Sequence, residues 1–312
     1  MRSVWLGILL CVVGLAQVAK TPADELLNQA MAEMQAGNPV QAEFWYREMR
    51  AGYPRDTRWV MGLVSALDVQ NKTAEALKVA RETQPMFGKS ATISLMIGQL
   101  LAKLDRVPEA MAEYQVALRD STSQAMTATV YAWIGSGYQQ LEQIDEAIAA
   151  HRKSKELSGR ASFPLAWLLG GKGDYEGEVR EYRAVLRENP DHPSALNNLA
   201  YAWAVRGENL DEALAFSRHA VALQPRISVM EDTLGWVYFK RGMLEDAEST
   251  MVGALLYEGG NQGTLLEHLA AVMDARGEWT AERRELRKLL DGEGSAGEVA
   301  RMKVLLGKMR GR

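Results

Sequence analysis

The side chains able to do chemistry are few and scattered in this chain of 312 residues. Its imidazoles are His151, His192, His219 and His268. A helical zinc motif needs two histidines four residues apart on one face, and no pair stands at that spacing. His151 falls at a helix packing position, which predicts an interior or boundary ring. His192 sits in the connection Pro190-Asp191-His192-Pro193, where a solvated ring is expected; His219 and His268 read as ordinary helix residues. The single thiol, Cys11, lies in the first apolar stretch, so the chain can build neither an internal disulfide nor a cysteine zinc site. Phe87-Gly88-Lys89-Ser90 has the ending of a phosphate loop, but the leading glycine is replaced by Thr83 and no strand precedes it. That run and Gly259 to Gly263 read as links between helical units. Ser136 and the other serines lack a nucleophile elbow. Acidic pairs such as Asp145-Glu146 and Asp211-Glu212 stand where helices begin, where negative charge favours the helix dipole. No catalytic residue, no metal site and no cofactor is expected.

The elements that position these residues repeat. A turn residue recurs at Gly37, Asn71, Asp105, Glu142, Gly173, Gly207, Gly242 and Gly277. A helix–turn–helix unit needs a left-handed residue there, which Gly adopts freely and Asn and Asp adopt at small cost; Glu142 is the exception. Five residues after the turn a small side chain recurs at Ala42, Ala76, Ala110, Ala147 and Ala247, and at Ala213 after a one-residue insertion. Seven before it stand Ala30, Val64, Gly98, Gly135, Ala166, Ala200, Gly235 and Ala270, most of them small. Small residues on facing helices let the two backbones approach closely. Large apolar residues one position earlier (Leu63, Ile97, Ile134, Leu165, Leu199, Leu234, Leu269) fill the space between them. Pro54, Pro190 and Pro225 stand near the ends of second helices, where proline stops a helix.

This pattern resembles the tetratricopeptide repeat. The resemblance is strongest at Asn197-Asn198-Leu199-Ala200-Tyr201 with Leu210-Asp211-Glu212-Ala213, at Asp232-Thr233-Leu234-Gly235-Trp236-Val237-Tyr238, and at Trp133-Ile134-Gly135 with Tyr138 and Asp145-Glu146-Ala147. It implies an all-α fold: a right-handed superhelical solenoid of about eight helix-turn-helix units. The units are expected near 23–54, 57–87, 91–122, 128–158, 160–190, 193–225, 228–258 and 262–291, within a repeat region 20–291. A loop and capping helix follow in 292–312, with Val299, Met302, Leu305, Leu306 and Met309 at helical spacing. Gln29 and Glu33 place polar groups on the first unit, as a terminal repeat requires. Glu178 and Glu282 replace the small residue of the second helix in units five and eight, which predicts rotated or looser pairs there.

Proteins of this family bind other proteins on the wall formed by their first helices. The register puts Trp167, Tyr201, Trp236, Phe239 and Lys240 on that wall, with Gln139 a polar contribution from unit four. Two readings compete for the rings: an aromatic strip for a peptide or protein partner, or packing between neighbouring units. Trp203, Tyr138 and Tyr238 are assigned to the core. Some family members clamp a chaperone's terminal carboxylate with lysines on successive first helices. Asn197 matches such a place only in location, and Leu95, Ala132, Phe163 and Asp232 stand where lysines would be needed, so this chain does not resemble a chaperone-tail receptor.

The net charge of −4 gives no electrostatic footprint for nucleic acid. Arg2 followed by an apolar run from Val4 to Val18 describes a signal peptide or membrane anchor over 1–19, shorter than a bilayer span. A cut after Ala16, retention as an inner-membrane anchor through residues 4–19, and lipidation of Cys11 are three separate outcomes; all place the remaining chain outside the cytoplasm or at a membrane. The expectation is an exported, periplasmic or secreted scaffold whose partners are other proteins, components of a bacterial envelope complex. Its alternative is an accessory subunit organising a glycan or cell-wall enzyme complex.

Overall fold

The structure, a computed structural model, describes residues 21–255, 257 and 262–277. The leader, the second helix of the eighth unit and the capping helix read from the sequence lie outside the described residues. The chain divides into two compact bodies that meet between Ser158 and Gly159. The first holds α1 (Pro22–Gln35), α2 (Pro39–Gly52), α3 (Arg58–Val69), α4 (Thr73–Thr83), α5 (Ala91–Lys103), α6 (Val107–Arg119), α7 (Gln124–Gln140) and α8 (Ile144–Ser158). The second holds α9 (Phe163–Gly171), α10 (Tyr175–Glu188), α11 (Pro193–Arg206), α12 (Leu210–Leu223), α13 (Ser228–Lys240), α14 (Leu244–Ala254) and α15 (Gln262–Arg276). No strand occurs among the described residues. Within each body an odd-numbered helix packs on the next even-numbered one, and each pair stacks on the following pair. The fold is the all-helical array of helix–turn–helix units that the sequence pattern requires.

The hairpin turns are built alike. All eight expected turn residues have positive φ, from +58° at Glu142 to +78° at Gly37 and Gly173. The next N–H then reaches back five residues to a carbonyl, as in Lys72 to Leu67, Arg106 to Leu101 and Gln143 to Tyr138, at 2.9–3.0 Å. That bond satisfies a helix-end carbonyl and reverses the chain. Glu142 adopts the left-handed conformation without the freedom of Gly or the local hydrogen bonding of Asn or Asp. Its Cβ clash costs about 1–2 kcal/mol, partly offset by the smaller chain entropy it loses compared with Gly. Glu142→Gly is expected to stabilise the protein by about 0.5–1 kcal/mol, read as a higher denaturation midpoint in urea.

Helix starts are equally local. Thr21 closes a capping box with Asp24, and Ser90, Ser123, Ser162 and Asp174 accept from backbone N–H groups at the starts of α5, α7, α9 and α10. His192 was expected in solvent and is instead the N-cap of α11: its Nδ1 accepts from Ala195 N at 3.2 Å. Its ring stacks on Phe163 with centroids 5.1 Å apart. The expectation failed because Pro193 at the first helical position fixes the preceding residue as the cap, and Phe163 comes from a helix thirty residues earlier.

The helices of a pair meet through a fixed complementarity. Sixteen residues after Gly98, Gly135 and Gly235 stand Tyr114, His151 and Met251, all buried. A Cβ built on Gly98 would lie 2.4 Å from Tyr114 Cε1, on Gly135 2.7 Å from the His151 ring, and on Gly235 2.6 Å from Met251 Cγ. Tyr46 and Tyr182 stand at the same spacing from Ala30 and Ala166, and both are buried. In the second unit the sizes exchange, with Val64 on the first helix and Ala80 on the second. The expected large residues, Leu63, Ile97, Ile134, Leu165, Leu199, Leu234 and Leu269, are all buried beside these contacts, as are the second-helix alanines 42, 76, 110, 147, 213 and 247.

Unit five departs from this scheme. Glu178 replaces the small residue of α10, and Gly170 makes room for it: a Cβ on Gly170 would lie 2.5 Å from the Glu178 carboxyl carbon. The pair is accommodated by a glycine one turn beyond Ala166.

Two titratable groups occupy such packing places, one in each body, and they respond to pH in opposite directions. Burial lowers the His151 pKa from 6.5 to about 4. Between those values the unfolded chain binds a proton that the folded chain refuses, so stability falls as pH drops from 6.5 towards 4, by up to about 3 kcal/mol. Burial raises the Glu178 pKa from 4.5 to about 7, against the pull of Arg206. Here the folded chain holds the extra proton, so stability falls as pH rises from 4.5 towards 7. Partial exposure reduces this effect to about 1 kcal/mol. Urea melts at pH 4.5 and 7 check both. His151→Tyr should remove the acid-side loss and Glu178→Ala the loss towards neutrality, each relative to the unmodified chain.

Candidate functional site

In the second body, α11 packs on α13 and α13 on α15. The residue following the small one on each first helix turns away from the partner helix of its own pair and towards the neighbouring unit. These are Tyr201 on α11 and Trp236 on α13. Trp236 stacks on His268 of α15, with centroids 4.0 Å apart and planes 17° from parallel. Tyr201 approaches the same imidazole at 6.0 Å. Phe239 stacks on Trp236 at 4.9 Å, and the Lys240 ammonium lies 4.9 Å from its ring centroid. Trp236, Tyr201, Phe239 and Lys240 are half-buried.

A carboxylate anchors the cluster. His268 Nδ1 stands 3.0 Å from Asp232 Oδ1 and 3.2 Å from Oδ2. Both residues are buried. A carboxylate only accepts, so Nδ1 carries the proton and donates. Asp232 and Trp236 are one helical turn apart on α13, so a single helix face supplies both the carboxylate that orients the imidazole and the ring that covers it. Burial, with the charges of Asp232 and Glu267, raises the Tyr201 pKa. The arrangement orients a histidine as acid–base sites do, but the side chains against the imidazole are aromatic rings and one carboxylate. It is suited to holding apolar and cationic surface by stacking and cation–π contact. Among the described residues no group of three or more His, Cys, Asp or Glu side chains is placed to hold a metal ion.

The remaining wall residues are placed differently. Trp167 on α9 is 54% exposed. Gln139 belongs to the first body and is half-buried, with its Oε1 3.1 Å from His151 Nε2. Trp203 and Tyr238 are buried, as their register requires, and Tyr138 is half-buried. His219 pairs with Asp191 at 3.0 Å on the surface. His268 is the residue that sequence reasoning passed over. It stands thirty-six positions after Asp232, about one repeat further on, and no local motif marks the pair.

An array of short antiparallel helix pairs with a recurring small–large contact and a ring-lined first-helix face defines the class of helical-repeat protein-interaction scaffolds. A tetratricopeptide-repeat family model matches residues 61–125 and 163–226, and the chain is a tetratricopeptide-repeat protein. The TPR repeat-containing protein PA4667 of Pseudomonas aeruginosa is 27% identical over 157 residues, which is 50% of this chain and 27% of that relative. The match thus spans about a quarter of the relative's length. Among solved structures, a tetratricopeptide repeat protein from Parabacteroides merdae aligns with a TM-score of 0.55 and 19% identity, covering 80% of this chain and 98% of the other. Pseudomonas aeruginosa pilF aligns at 0.57 and 18%, covering 65% and 92%. The Cut9–Hcn1 hetero-tetramer of the APC/C gives 0.62 and 14%, covering 80% of this chain and 49% of the matched chain. These likenesses concern the fold.

His268→Ala removes the ring under Trp236 and leaves the buried Asp232 carboxylate without its donor. It is expected to destabilise the protein by about 2–4 kcal/mol. Urea melts measure that loss, and a red shift of tryptophan emission should accompany it as Trp236 loses its cover.

Proposed function

We propose that this protein is a non-catalytic scaffold that holds a partner protein or peptide on the first-helix face of its second body, and that it works outside the cytoplasm as part of a bacterial envelope complex. The observation that carries the binding reading is the ledge of half-buried rings at Tyr201, Trp236 and Phe239, edged by Lys240, with exposed Trp167 on a first helix of the same body. Trp and Tyr supply large contact area at small entropic cost, and a ring already stacked on a fixed imidazole is pre-organised for a partner. Tyr201 and Trp236 also pack against His268 of α15, and on this reading the half-exposed remainder of the rings is assigned to the partner. The envelope assignment rests on the apolar stretch after Arg2 and on the family resemblance.

The test substitutes the open edge and spares the stacked centre. Affinity capture from crosslinked cells is made with the unmodified chain and with Trp167→Ala/Lys240→Glu, after melts show that both fold equally. A discrete set of envelope proteins captured by the first and reduced at least tenfold with the second is the expected result. An unchanged set would return these residues to a purely structural role, and a captured set of cytoplasmic proteins would overturn the assigned location.

A further inference from the structure

We propose that α10 carries a second interaction site, a cationic cleft that binds an acidic segment of a partner protein. A cleft of about 380 Å³ runs along the side of this helix, lined by Tyr175, Glu176, Val179, Arg180, Arg183 and Arg187. The three arginines follow one another at intervals of three and four residues, so they share one face of the helix and span about 10 Å. Their compensation is poor. Arg180 reaches Glu181 only at 4.0 Å and Arg183 reaches Glu212 only at 3.9 Å, with side chains 65% and 51% exposed. Arg187 forms no ion pair among the described residues and is exposed. Like charges one turn apart on a helix repel, so the stripe destabilises α10 unless anionic groups lie against it.

Stacking holds the middle guanidinium of the stripe and the Tyr175 ring at its end. Arg183 lies over the Trp203 ring, 5.3 Å from its centroid. At the other end Arg206, from α11, stacks on Tyr175 at 3.7 Å, while the Tyr175 hydroxyl donates to Glu208 at 2.8 Å. A planar guanidinium fixed by stacking presents its fork to a carboxylate with less entropy to lose.

Carboxylates on a peptide fit this cleft better than a phosphate group does. Val179, Arg180, Arg183 and Arg187 lie within the helix, where backbone N–H groups are already used. Tyr175 and Glu176 open it, and there Asp174 caps the Gly177 N–H and Glu176 adds a second negative charge, which disfavours a phosphate. The cleft is open and elongated. Tyr175 and Val179 give it an apolar floor at one end, and Glu176 places a negative charge there. A densely charged phosphate is repelled by Glu176. A peptide with three acidic side chains opposite Arg180, Arg183 and Arg187, and an apolar or basic residue beside Tyr175 and Glu176, matches every lining group.

The site involves different helix faces from the ring ledge on α11, α13 and α15, and stands or falls independently of it. The test is fluorescence anisotropy on the full chain with three probes: a labelled amphipathic peptide carrying three glutamates at the spacing of the arginines, the same peptide with glutamines, and unlabelled tripolyphosphate as competitor. Saturable binding of the glutamate peptide, at least tenfold weaker binding of the glutamine peptide, and affinity that falls with added salt are expected. Arg180→Glu/Arg187→Glu should lower affinity at least tenfold with a melting midpoint no lower than that of the unmodified chain, since it relieves the repulsion along the stripe, and Arg187→Gln alone should lower affinity by a smaller factor. Trp167→Ala/Lys240→Glu should leave it unaltered. Equal binding of the two peptides, or no loss with either arginine variant, would overturn the proposal. So would displacement by tripolyphosphate at concentrations below the peptide's own Kd, which would mark a phosphate site.

Discussion

Everything in this molecule depends on how closely two helices of a pair can approach. A large side chain from the second helix occupies the space that a Cβ or longer group would fill on the first, as Tyr114 does against Gly98 and His151 against Gly135. Inserting even one methyl into such a contact forces neighbours off their preferred positions, at about 1–3 kcal/mol. The constraint concerns the sum of two volumes rather than the identity of either residue. It therefore tolerates the exchange at Val64 and Ala80, and the displaced solution at Glu178 and Gly170. Once the close approach is set, the turn must be short and left-handed, and the next pair must stack on the remaining apolar flank.

Stacking between pairs adds a second layer of order. In the first body Lys72 reaches Glu43 at 2.8 Å, Arg47 reaches Glu75 at 2.6 Å and Lys103 reaches Asp68 at 2.8 Å. In the second body Arg276 reaches Glu248 at 2.9 Å. Each joins one unit to the next. Exposed pairs of this kind contribute little, but Glu43, Asp68 and Glu248 are buried and must be paired. Burial pushes the Glu43 pKa up, yet hydrogen bonds from Lys72, Gln70 and Arg47 hold it below its ordinary value. Such contacts fix the rotation of one unit on another, and stability becomes a sum of unit and nearest-neighbour contributions.

The ring ledge uses the same geometry for another purpose. The faces of α11, α13 and α15 that meet between units are apolar because they must pack, and their outer margins remain accessible because each first helix has neighbours on only some of its sides. Asp232 and His268 order this margin: the carboxylate fixes the imidazole, the imidazole supports Trp236, and the Lys240 ammonium lies 4.9 Å from the centre of that ring. The arginine stripe on α10 lies on a second helix, so one body offers two chemically unlike surfaces.

The sequence by itself determined the local and periodic features. Left-handed turn residues, small–large spacing and proline stops are each decided within one unit, and repetition made them legible; even Glu142, the wrong residue type for its turn, was placed by its period. The occupant of each contact was also within reach wherever it stood at the common interval, as at His151. Tertiary structure alone decided what depends on the neighbouring unit. Asp232 and His268 meet across thirty-six residues with no motif to announce them. Gln139 bonds the buried imidazole of His151, a partner its register on α7 did not indicate. His192 is held by a ring from another helix. The Arg180, Arg183 and Arg187 spacing was visible, but an ordinary solvated helix face has the same spacing, and only the packed surroundings show how few carboxylates answer it. Periodicity reports which side of a helix faces inward; it carries no information about which side chain of the next repeat will be waiting there.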